Sequence, residues 1–158
     1  MEVRSSEQGW IFEDIDPLIG ELLRGLPGCA AADEEPARRR IFSSPTAGAD
    51  PEADQEWHEN VVPEMRELFQ SHVDVVAGDL AAMTEREDSF TLNIPVENAR
   101  AWIHTLNQAR LALAAKHGVT DDDTAGRRKR HTSAKAFALM QIDFYAMLLS
   151  LLLGQTEL

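Results

Sequence analysis

The sequence predicts an all-α fold, a bundle of four to five helices to which a short two-stranded β ribbon can be added. Three observations carry that prediction. Apolar residues recur at three- and four-residue steps over two long stretches, 65–83 and 99–113. Asp-Pro pairs, which supply an N-cap and a first helical proline, stand at Asp16-Pro17 and Asp50-Pro51. Clear polar/apolar alternation is confined to Ser89-Phe90-Thr91-Leu92-Asn93-Ile94. With 158 residues the chain reads as one domain, 1–158, able to bury roughly two-thirds of its unfolded surface.

The elements follow in order. Trp10-Ile11-Phe12 is a short aromatic strand candidate, and its partner in the ribbon is 89–94. Asp16-Pro17 opens a helix with Leu18, Ile19, Leu22 and Leu23 on one side, stopped by Gly25 and Pro27-Gly28. Pro36 opens a short helix through Arg38-Arg39-Arg40 to Phe42, and Ser43 to Ala49 is irregular. Asp50-Pro51 starts a helix that Pro63 interrupts, since proline removes a donor and crowds the preceding turn. The pattern then runs on to Met83 with Met65, Leu68, Phe69, His72, Val76 and Leu80 on its apolar face. Pro95 ends the strand and opens a helix whose stripe is Ala99, Trp102, Ile103, Leu106, Ala109 and Leu113, with Gly118 as its stop. Residues 119–131 read as an exposed loop. Thr132 or Ser133 then caps a last helix ending near Gly154.

Composition narrows the function classes. The formal net charge is -12, so the chain as a whole repels phosphate backbones and anionic lipid. The single cysteine, Cys29, excludes an intramolecular disulfide and a cysteine-rich metal cluster. Met1 to Gln8 is polar and lacks the apolar core of a signal peptide, which sets the expected compartment as cytoplasmic. Ala136 to Leu153 has the length of a membrane span. Gln141, Asp143 and Ser150 interrupt it, and the expectation is a buried core helix, not a membrane contact.

Candidate chemistry is sparse. Arg127-Arg128-Lys129-Arg130 is a basic run able to contact phosphates or an acidic partner, with Asp121-Asp122-Asp123 just before it. The same stretch is a failed calcium loop, because Ala125 stands where a ligand is needed and Thr132 replaces the bidentate Glu. His58-Glu59 lacks the second histidine of a zinc-protease helix, Val62 standing in its place. No nucleophile elbow, P-loop or dinucleotide fingerprint occurs, so no catalytic residue, cofactor site or metal site is assigned. Arg110 lies among Ala109, Leu111 and Leu113, and Asp143 between Ile142 and Phe144. A buried charge requires a partner, so the expectation is a buried polar cluster of Asn107, Arg110 and Asp143.

Phe90-Thr91-Leu92, then Ala101-Trp102-x-x-x-Leu106-Asn107-x-x-Arg110-Leu111-x-Leu113, then Gly118-Val119-Thr120, resembles the core signature of the bacterial DUF2017 family. Trp10 to Leu26 and the last helix with Asp143 resemble that family's two ends. Some actinobacterial members are described as oxidative-stress transcriptional regulators that respond through paired cysteines. The resemblance therefore implies a regulator, but one without that thiol switch, because this chain holds only Cys29. The leading expectation is a non-enzymatic regulatory or protein-interaction domain, with a protein partner and homodimer contact through the apolar last helix. The alternative is a DNA-associated transcriptional regulator acting through residues 127–130. The third is a small-ligand binder or enzyme around Arg110, Asn107 and His104, which requires a pocket at Arg110.

Overall fold

The alternation at 89–94 does form a strand, but the sheet around it is larger than a ribbon. The computed structural model describes residues 1–31, 33–124 and 132–155. Its strands β1 (Glu2–Ser6), β2 (Gly9–Ile15), β3 (Thr84–Arg86) and β4 (Ser89–Pro95) make one antiparallel sheet in the order β1-β2-β4-β3. The fold is α+β, which corrects the all-α expectation. The expected central pairing is present, with Trp10 opposite Ile94 and Phe12 opposite Leu92. The two edge strands were illegible for physical reasons. Every residue of β1 is exposed, so it carries no alternation to detect. The three-residue β3 directly follows the long apolar helical run that ends near Met83. Neither hairpin uses an Asn-Gly or Asp-Gly turn; Glu87 supplies the left-handed residue of the second at φ 55°.

The remaining elements are helices, and some of them cover one face of this sheet. They are α1 (Pro17–Arg24), α2 (Leu26–Ala30), α3 (Ala37–Ile41), α4 (Pro51–Glu56), α5 (Val62–Ala81), α6 (Ala99–His117), α7 (Asp121–Thr124) and α8 (Ser133–Gln155). A π-helical turn, Trp57–Val61, joins α4 to α5, and Pro63 falls in the first turn of α5, where its missing N–H is harmless. Both Asp-Pro starts hold: Asp16 accepts from the Ile19 N–H at 2.9 Å and Asp50 from the Ala53 N–H at 3.1 Å. Gly118 closes α6 in the left-handed conformation, φ 59°.

The core lies between the sheet and α1, α2, α5, α6 and α8. Trp10, Phe12, Ile15, Phe90, Leu92 and Ile94 enter it from the sheet, and Trp102, Leu106 and Tyr145 meet them from α6 and α8. One polar node sits at its edge. The Asp79 carboxylate of α5 accepts from the fully buried Trp102 Nε1 at 2.8 Å and from Asn98 Nδ2 at 2.9 Å, clamping α5 to the start of α6. Gly9 has φ 135°, and its Cα approaches the Ile94 carbonyl so closely that a Cβ would lie 2.1 Å from that oxygen. A second, smaller cluster, Phe42 and Val62 with Trp57, Met65 and Phe69, packs α3 against α5.

Candidate interaction face

Helix α8 is fastened at its start and along its inner side. The Thr132 hydroxyl accepts from the Lys135 N–H at 3.2 Å. Lys135 Nζ donates to the Gly118 carbonyl at 3.4 Å and pairs with Asp123 at 3.2 Å. The Thr120 N–H, 2.8 Å from Asp123, and Lys135 hold the Asp123 carboxyl down at about 2. Since Lys135 lies beside Gly118, α8 runs antiparallel to α6. On the inner side the Tyr145 hydroxyl donates to the Leu22 carbonyl at 2.6 Å, and Gln141 Nε2 reaches the Cys29 sulfur at 3.5 Å. Burial pushes both the Cys29 thiol and the Tyr145 phenol upward, so both stay protonated at neutral pH.

The outer side of the same helix is bare. Ser133–Gly154 is long and apolar enough to cross a membrane by length and composition, yet only 39% of its most apolar window is buried in the fold. The expectation of a buried core helix therefore holds for one side only. Phe137 is 47% exposed, Met140 39%, Met147 43% and Leu153 43%. With exposed Ala136, Asp143 and Ser150 they form one stripe along α8 at steps of three and four. Asp143 is the stripe's single charge in a chain that is 27% charged. A solvated helix face normally carries more, which makes this stripe the candidate interaction surface among the described residues. The sequence offered the apolar last helix as a contact element, but which side of it is bare stayed hidden, because a helix apolar all round shows no periodicity. The one available signal was Asp143 and Ser150, seven apart and hence on one line.

The sites expected from sequence fall elsewhere. Residues Arg127, Arg128, Lys129 and Arg130 lie outside the described residues. The buried cluster of Asn107, Arg110 and Asp143 does not have the expected burial. Asn107 and Asp143 are exposed, Arg110 is half-buried, and its Nε is enclosed without a hydrogen-bond partner. Arg110 and Asp143 each lie eight residues from the Lys135–Gly118 contact and so stand at the same height, but no ion pair joins them among the described residues. The reason is rotation: on a helix the chain neighbours of Asp143 turn inward while Asp143 itself turns out.

His72 is half-buried and stacks on exposed His104, with ring centroids 4.8 Å apart and planes 5° from parallel. Burial, then His104 and Arg100, hold His72 below the usual histidine value. A cleft of about 390 Å³ beside Cys29 is lined by Lys116 and by Asp33, Glu34 and Glu35. Another, of about 630 Å³, is lined by Arg38, Arg39, Asp54 and His58. Neither includes Arg110. Among the described residues no group of three or more His, Cys, Asp or Glu side chains is placed to hold a metal ion.

No curated protein and no solved structure matches this chain. The family described as "Domain of unknown function (DUF2017)" matches residues 11–155, from the second residue of the central aromatic run to the end of α8. That span takes in β4 and most of β2, the Asp79–Trp102 node and the α8 stripe, and the chain belongs to the DUF2017 family.

Proposed function

We propose that this chain is a non-enzymatic protein-interaction module of regulatory type, and that the outer side of α8 is the surface it presents. The observation that carries the reading is the exposed stripe with one charge among its residues, on a chain of net charge -12. Acidic surface elsewhere keeps the chain soluble and gives α8 the contrast that marks an interface core. The stripe's residues are fixed from behind by Tyr145, Gln141 and Lys135, so the face is preorganised before any partner arrives.

The test is a double substitution, Met140→Glu with Met147→Glu, on tagged protein. Both side chains are exposed, so the helical circular dichroism should be unchanged. Binding of any protein, another copy of this chain included, is expected to be lost in the variant and kept in the wild type. Identical captured sets from both proteins, in lysate and in pure solution, would overturn the reading. The DNA-associated alternative rests on Arg127 to Arg130. It is recognised by binding that weakens steeply with salt and vanishes when those four residues become Ala, with α8 intact.

A further inference from the structure

We infer that the occupant of the α8 face is a second copy of this chain, paired antiparallel about a two-fold axis at the level of Ala146 and Met147. The inference rests on the reading of α8 as the interaction face and goes further by naming partner and register.

Charge argues first for a like partner. A basic protein binding this acidic chain would meet acidic side chains at the contact, yet the exposed line of α8 holds one carboxylate, Asp143. Two copies each carrying -12 repel at long range, and they can approach only on a face that has shed its acids.

The polar residues then set the register. In a two-fold contact each patch faces itself. Asp143 and Ser150 occupy one line on the helix, seven residues apart. Antiparallel pairing about their midpoint puts Asp143 opposite the partner's Ser150, and Ser150 opposite the partner's Asp143. Each hydroxyl donates to a carboxylate that would otherwise lose water with nothing in return. The same register sets Leu139 against the partner's Gly154, and Met147 against the partner's Ala146, large over small. It sets Met140 against the partner's Leu153, two exposed apolar side chains of the stripe.

Area fixes the strength. A stripe of about twenty helical residues is ~30 Å long and, at ~10 Å wide, covers ~300 Å². A standard interface takes about 800 Å² from each partner. The pairing therefore belongs to the weak, transient class.

Light scattering and sedimentation across a wide concentration range test the pairing, with two substitutions at one exposed position. The wild type should pass from the 17.6 kDa monomer to twice that mass as concentration rises. Ser150→Asp sets carboxylate against carboxylate and should hold the chain monomeric at all concentrations. Ser150→Lys sets ammonium against Asp143 and should lower the dissociation constant about tenfold. Spin labels at Ala136→Cys in a Cys29→Ser background should lie ~30 Å apart along the axis, against ~10 Å for a parallel pair. A wild type monomeric throughout, a dimer indifferent to both Ser150 substitutions, or a short label distance would overturn the inference. If the chain is monomeric but a different protein binds and is lost with Met140→Glu and Met147→Glu, the second copy is refuted and the interaction face stands. If nothing binds in either assay, both fail.

Discussion

Replacing Asp79 by Ala takes away one carboxylate and strands two donors of unequal importance. Trp102 Nε1 is fully buried and donates to that carboxylate at 2.8 Å. Without it the indole N–H stays in the core with no acceptor, at about 1–3 kcal/mol. Asn98 Nδ2 loses its bonds of 2.9 and 3.0 Å, but Asn98 is only half-buried and water can replace them, so its loss adds about 0.5 kcal/mol. The expected destabilisation is about 2–3 kcal/mol, which for a chain of this size lowers Tm by ~4–12 °C. Asp79→Asn keeps an acceptor but not its charge and should fall about midway, since charge-assisted bonds are roughly twice as strong as neutral ones. Urea denaturation followed by circular dichroism reads all three proteins without using Trp102 as reporter. An Asp79→Ala unfolding free energy within about 0.5 kcal/mol of wild type, or an Asn variant no better than the Ala variant, would refute the clamp.

Three further outcomes are expected. Gly9→Ala, with φ 135° and a Cβ placed 2.1 Å from the Ile94 oxygen, should cost more than about 2 kcal/mol or prevent soluble expression; near-wild-type unfolding would disprove the close approach. Cys29 should react with iodoacetamide more slowly than the thiol of the urea-unfolded chain, with a pH midpoint above the ordinary value of 9.0; equal rates would count against burial of the thiol. His72 should titrate below 6.5 by NMR and move upward in His104→Asn. Because its folded value is depressed, the unfolded chain takes up the proton first, so stability present above pH 6.5 is lost as pH falls toward the folded value. A His72 titration unmoved by His104→Asn would dismiss the stack as its neighbour.

What could be read from the sequence was what local chemistry determines. Asp16, Asp50, Thr132 and Gly118 cap helices through their own side chains or backbone freedom, and each does so in the fold. The β2–β4 pairing was legible because 89–94 alternates and the aromatic Trp10 and Phe12 face the same core. What stayed hidden depends on which way an element faces. Leu68 belongs to the apolar series of α5 but is 54% exposed, because the helix is covered along a narrower arc than the series spans. Arg110 and Asp143 stand level with each other, yet flanking apolar residues say nothing of burial on a helix, where they point elsewhere. The outer side of α8 was hidden for the opposite reason: nearly uniform hydropathy carries no direction.

The β2–β4 pairing also has a kinetic and practical side. Each hairpin is local, but joining them closes a loop of roughly eighty residues, an entropic barrier of about 4 kcal/mol met before any core contact repays it. The sheet is therefore expected to assemble late, once α1, α5 and α6 have begun to gather. Until then β4 offers a bare hydrogen-bonding edge beside Phe90, Leu92 and Ile94, the combination from which intermolecular strand addition starts. Family similarity begins at residue 11, inside β2. A chain trimmed to the matched residues would lose β1, Gly9 and Trp10, leave the outer edge of β2 unpaired at Ile11, Phe12 and Glu13, and trade a folding delay for aggregation.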